Sequence, residues 1–279
     1  MFRLRQLYRK YWIVPWLWWL VVVLPGVCFI VISVGFLLAM HWPKNYQNVV
    51  NISLDSDVNY LTLSVHGVKD SPASWSDELQ HKYSQLQQMP FSKLHSQHIS
   101  FGWQPYSDNV LSCSVDGKKI GEKLGVKLAL LPNLQGVHLV AHSCGSFVIL
   151  GVCEALRERN EAVSIQTTYL DPVSVYSGIF WDYGIQYFGS CANFSDAYID
   201  TQDTVPGSNQ ALVNAVTFDV TQIRVENKLN HAPHAWPTLF YIDALGEKQV
   251  PIYFNSVNKP SSEYSNNTLI TWPFAYKSK

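Results

Sequence analysis

From Tyr11 to Trp42 the chain carries no Asp, Glu, Lys or Arg, and Val, Leu, Ile, Phe and Trp dominate the run. Such a stretch is poorly suited to water, and it exceeds the roughly 20 residues a helix needs to cross a bilayer. Trp12, Trp16, Trp18 and Trp19 gather at one end and Trp42 marks the other, as interfacial aromatic belts do. Pro25-Gly26 in the middle predicts a kink rather than a break. The run is longer than the apolar region of a cleaved signal and no clear small-x-small site follows it, so it reads as a retained anchor. Arg3, Arg5, Arg9 and Lys10 flank it on one side only. That bias places residues 1–11 in the cytoplasm and residues 43–279 on the far side, whether periplasmic, lumenal or extracellular. The expected organisation is a basic flank (1–11), a transmembrane anchor (12–42), a polar stalk (43–59) and one domain (60–279).

The domain is organised around Val137-His-Leu-Val-Ala-His-Ser143-Cys-Gly-Ser-Phe-Val148. A β-prone run ends in Ala-His-Ser-Cys-Gly, and a segment of good helix formers follows at once. A serine between strand and helix sits at the tip of a sharp turn that brings the two backbones almost into contact, so small residues must flank it. Ala141 and Gly145 fill those two places.

Around this stretch, strands are expected at 60–65, 99–103, 137–141, 164–170, 195–200 and 215–223. Helices are expected at 73–90, 108–130, 144–158 and after Pro237, and Val250 to Asn255 reads as extended. Strands alternating with helices argue for an α/β domain with a mostly parallel sheet covered on both faces. The hydrophobic content of 47% is ample for such a core, and a net charge of −1 carries no footprint of nucleic-acid binding. Residues 173–193, rich in Tyr, Gly, Phe and Trp, read as a long loop near a pocket. Cys28 falls in the anchor. Cys144 and Cys153 are expected to pack as small hydrophobes beside the post-serine helix. Cys113 and Cys191 are left over, and a disulfide between them can form outside the cytoplasm.

A serine hydroxyl is a poor nucleophile unless a base takes its proton and a carboxylate holds that base in the right tautomer. On a sheet of this kind the partners follow in the order Ser, acid, His. Asp171 ends the strand after the post-serine helix, and Asp203 lies one strand later. His231 and His234 share the loop before the final helix. His142 and His66 read as supporting or packing residues. His66-Gly67-Val68, a tight turn after an early strand, is where a second oxyanion donor would stand. Zinc finds no convincing ligand set: His231 and His234 alone have suitable spacing, and no third ligand accompanies them.

These blocks, over roughly residues 60–245, resemble the pancreatic-type (neutral) lipases of the α/β-hydrolase superfamily. His66-Gly67-Val68 with Asp70 and Trp75 is similar to the family's His-Gly-Phe block. Phe101-Gly-Trp103 with Ile120-Gly121 is similar to its next strand and helix. Ala-His-Ser-Cys-Gly stands for Gly-His-Ser-Leu-Gly, Tyr169-Leu-Asp-Pro172 for Leu-Asp-Pro, and Ser195 to Asp200 for the strand after it. His234 with Phe240-Tyr241 resembles the histidine loop. The resemblance implies Ser143 as nucleophile, Asp171 as acid and His234 as base, with Val68 and Cys144 N–H groups as the oxyanion hole. Asp203 remains the alternative acid and His231 the alternative base. It implies no cofactor and no metal. The family's cysteine-bounded lid and C-terminal β-sandwich have no counterpart, so the expected substrate is a lipid or other acyl ester rather than triglyceride in particular. An acyltransferase using the same residues, or a non-catalytic module of the same fold binding a partner at the membrane surface, would draw on the same scaffold. Nothing in the sequence sets an oligomeric state.

Overall fold

The computed structural model describes residues 16–87, 95–246, 250 and 266–272. It divides into two compact units, 1–44 and 45–279. In the first, a helix (α1) runs over Trp16–His41, long and apolar enough to cross a membrane. Its turns over Trp19–Val23 are π-helical and the α-helix proper starts at Leu24. Pro25 has no N–H to give and its ring crowds the preceding turn, so widening that turn is the local way to keep the helix continuous.

The second unit is an α/β layer structure. Among its described residues, β1 (Tyr60–Val65), β2 (Ser96–Phe101), β3 (Gly136–His142), β4 (Ser164–Leu170), β5 (Phe194–Ile199), β6 (Val216–Asp219) and β7 (Thr268–Thr271) form one sheet. The order is β2-β1-β3-β4-β5-β6-β7, with every pair parallel. From β1 the chain steps outward to β2 and then returns to the other side of β1 as β3. The winding direction therefore reverses between β1 and β3, and a crevice opens at their carboxyl ends.

Each face has its own core. On one, α3 (Cys113–Leu128) and α4 (Ser146–Arg159) cover Val137, Leu139 and Ala141 of β3. These two helices touch backbone to backbone: a Cβ on Gly121 would lie 2.0 Å from the Val148 carbonyl oxygen, and one on Gly151 would lie 2.2 Å from that of Lys118. On the other face, α2 (Ser76–Gln87) and α7 (Trp236–Gly246) bury Leu79, Tyr83, Phe240, Tyr241 and Leu245 against Val140, Tyr198 and Phe218. The alternation of Val140 with Leu139 and Ala141 is the two-residue period of a strand covered on both sides. The second face also carries a buried polar chain. His138 Nε2 donates to Thr168 Oγ1 (2.8 Å), Thr168 donates to Asp196 (2.6 Å), and the Tyr83 hydroxyl meets His138 Nδ1 at 2.9 Å.

Several expectations need correction. Residues 45–59 are not a free stalk: Tyr46, Val50 and Val58 are buried in the first core, and the Tyr46 hydroxyl donates to Asp116 at 2.8 Å. Their spacing is irregular, so no period betrays them. The segment 215–223 is not one strand, because β6 stops at Asp219 and a short helix α6 (Thr221–Glu226) follows, the next after the single turn α5 (Tyr183–Tyr187) ahead of β5. Asp219 Oδ1 accepts the Thr221 N–H (3.0 Å), which turns the chain there. The cysteines pair Cys113–Cys144 and Cys153–Cys191. Cys144 and Cys153 are thus bonded rather than merely packed, and Cys113 does not join Cys191. The proposed extension at 250–255 lies outside the described residues except for Val250, and β7 was not expected.

Candidate active site

Ser143 follows the last residue of β3 and has φ +55°, a left-handed conformation that costs a non-glycine residue energy and suits the strained strand-to-helix turn. The turn works because of what is missing around it. A Cβ on Gly145 would stand 2.6 Å from the His66 carbonyl oxygen and 2.9 Å from that of Val65. A Cβ on Gly67 would stand 2.9 Å from Ser143 Cβ and 3.4 Å from its Oγ. The turn after β1 and the turn after β3 are therefore pressed together across the crevice. His66 is fixed in that turn, its carbonyl accepting the Trp103 indole N–H at 2.9 Å. Among the described residues the Val68 N–H has no protein acceptor, and Cys144 is pinned to the start of α3 by its disulfide.

His234 arrives from a short 3₁₀ turn, Pro233–Ala235, ahead of α7. Its Nε2 lies 2.9 Å from Ser143 Oγ. Its Nδ1 faces two carboxylates: Asp203 Oδ2 at 2.8 Å and Asp171 Oδ2 at 3.2 Å. Asp171 follows β4 and Asp203 lies in the loop after β5, so both sequence candidates for the acid reach the same nitrogen. They differ in their surroundings. Asp203 Oδ1 accepts the N–H groups of Thr204 (2.7 Å) and Val205 (3.2 Å), and its Oδ2 accepts the Ser208 hydroxyl. Asp171 is fully buried, and apart from His234 it receives one long N–H contact, from Asn209 at 3.4 Å.

The charges follow. Burial pushes Asp171 up to about 7, against the pull of His234 and with the help of neighbouring Asp203. Burial would raise Asp203 too, but the Ser208 hydroxyl, the His234 charge and the Val205 N–H outweigh it and hold the group below its ordinary value. For His234 burial disfavours the cation; the hydrogen bond and charge of Asp171, with those of Asp203, overcome it and raise the imidazole above its usual range. The ring nitrogen and one oxygen of each carboxylate lie within 4.8 Å of one another. Two full negative charges at that spacing would repel by roughly 3–4 kcal/mol at an effective dielectric near 20. Asp171, Asp203 and His234 thus form a group whose spacing could hold a cation, a set that the sequence did not suggest, and their hydrogen bonds, with Nε2 turned to the serine, already engage all three.

His142 is buried, and its Nε2 donates to the backbone carbonyl of His234 at 2.9 Å. Burial, and next the charge of His234, hold it down to about 4, so it is neutral. His231 is exposed and stacks on Trp236, 5.8 Å between ring centroids, away from this hydrogen-bonded set. In the segment 173–193, Tyr176, Tyr183 and Phe188 pack around Phe147, while Ile179, Phe180 and Trp181 are exposed. The sequence reading missed Ser208 and Asn209, for which no motif exists, and the bond from His142 to His234, which depends on segments 92 residues apart meeting.

No family model matches the chain, and no curated protein is significantly similar to it. A histone deacetylase from Saccharomyces cerevisiae is among the solved structures with some likeness, at 10% identity and a TM-score of 0.30, over 65% of this chain and 84% of that one.

Proposed function

We propose that the domain is a serine ester hydrolase of the α/β-hydrolase kind, similar to neutral lipases. The observation that carries this reading is the relay Ser143 Oγ, His234 Nε2 and Nδ1, and carboxylate, at 2.9 Å and 2.8 Å, built on a serine at φ +55°. The placement of Ser143 and Val68 after β3 and β1, on either side of the crevice where the winding reverses, supports it.

Ser143 attacks an acyl carbonyl as His234 takes its proton, and the N–H groups of Val68 and Cys144 receive the developing oxyanion. His234 then gives the proton to the leaving alcohol, and water releases the acid by the same path. An alcohol in place of water would make the reaction an acyl transfer. A lipid or other acyl ester suits the apolar helix α1 and the exposed Ile179, Phe180 and Trp181. The basic flank and two disulfides favour a domain outside the cytoplasm.

The test is labelling of the detergent-solubilised full chain by a fluorophosphonate, wild type beside Ser143→Ala and His234→Ala. Labelling of wild type alone supports an activated serine. Labelling of a folded Ser143→Ala protein, or none in any folded sample, removes this reading in favour of a binding module.

A further inference from the structure

We propose that Asp171 and Asp203 act as one acid: two carboxyls from neighbouring strand ends that share a single proton over Nδ1 of His234, either of which can orient the base. The inference rests on His234 being that base.

Nδ1 has one hydrogen, yet both Oδ2 atoms lie within reach of it, at 2.8 Å and 3.2 Å. Both side chains are almost wholly withdrawn from water, with 0% of Asp171 and 4% of Asp203 exposed. An ionised carboxylate only accepts hydrogen bonds, so two of them side by side leave lone pairs facing each other with one N–H to divide. A proton on one of them removes the conflict. The surroundings decide which one carries it. Two backbone N–H groups and the Ser208 hydroxyl favour charge on Asp203, whereas Asp171 has only the distant Asn209 N–H besides His234. The remaining neighbours do not alter the balance: Ser143 is neutral, and His142, beside His234, is held neutral by burial. The resting site is then neutral Asp171, ionised Asp203, neutral His234.

A triad with one acid collapses when the acid is replaced, because the imidazole adopts the wrong tautomer and the rate falls by about 10⁴. With two carboxyls on one nitrogen, loss of either leaves the other to ionise and accept the Nδ1 proton. Both act through His234 and are positioning residues.

The experiment is the second-order rate of fluorophosphonate labelling of the full chain in detergent, across pH, for wild type, Asp171→Asn, Asp203→Asn and the double variant. Each single variant should keep labelling within roughly tenfold of wild type, and the double variant should fall by about 10⁴. The rising limb of the Asp171→Asn profile should also stay in place, because the amide replaces a carboxyl that already carries the shared proton, and the Asp203 charge still faces His234. Collapse of one single variant with the other unaffected overturns the proposal, as does an Asp171→Asn limb that moves to lower pH, since that would show two ionised carboxylates facing His234. If Asp203→Asn, which weakens the Ser208 loop, does not fold, a displaced limb in Asp171→Asn still overturns the shared proton. Wild type that fails to label overturns the hydrolase reading and this inference with it; wild type that labels with a one-acid pattern overturns this inference alone.

Discussion

His142 Nε2 donates to the main-chain carbonyl of His234 at 2.9 Å, so the residue before Ser143 holds the loop that carries His234. A single buried hydrogen bond is worth about 1 kcal/mol, and more when its loss strands a carbonyl. His142→Leu should therefore slow hydrolysis of a p-nitrophenyl ester by roughly tenfold, through kcat rather than KM. His142→Gln, whose amide can donate from a similar distance, should recover most of the rate. Equal loss in both variants would show that ring packing, not the donated bond, matters.

The pH profile follows from His234. Its pKa lies above the ordinary value, and under the proposed mechanism only its neutral form can accept the serine proton. Labelling of wild type should rise with pH and reach half its maximum above about 6.5, the free imidazole value. A midpoint below that value would mean that the carboxylates do not support the imidazolium.

The two disulfides should separate stability from chemistry. Each closes a loop of similar length, with sequence separations of 31 and 38, and opening either should cost about 3–4 kcal/mol in denaturant unfolding. Only the paired replacement of Cys113 and Cys144 by serine should also depress labelling under folded conditions, because Cys144 adjoins Ser143. The Cys153 and Cys191 pair, remote in sequence from the serine, should leave the rate per folded molecule unchanged.

Asp196 gives the fold a pH dependence of its own. Burial raises it to about 7, with Thr168, Tyr198 and Gln166 hydrogen-bonding it. A carboxyl raised on folding binds more protons in the native state than in the unfolded one. Its contribution is full below about 4 and is lost as pH climbs through 7, a loss of order 4 kcal/mol for a shift of this size. Thermal melts of wild type should weaken from pH 5 to 8, and Asp196→Asn should flatten that slope. A slope unchanged by the substitution would place its origin elsewhere.

How much of this was legible beforehand depended on whether the signal was local. Tyr60 to Val65 and Val137 to Ala141 alternate or run apolar as strands must, and Ala141 and Gly145 bracket Ser143 within one turn. The different surroundings of Asp171 and Asp203 were not legible: they depend on Ser208 and two N–H groups folding back onto one carboxylate. Cysteine pairing was not legible either, since Cys113 meets Cys144 only once α3 is laid against α4 by Gly121 and Gly151. At 45–59, polar composition concealed Tyr46, Val50 and Val58, whose burial has no period to announce it.

Five cysteines and two disulfides leave one thiol, Cys28, exposed along α1. The chain thus comes with a natural single attachment point. A maleimide spin label or fluorophore added without reductant will report from the apolar helix alone, with no background cysteines to remove and no mutation near Ser143. Its depth in a bilayer can be read by quenchers while Ser143 and its neighbours stay in their native form.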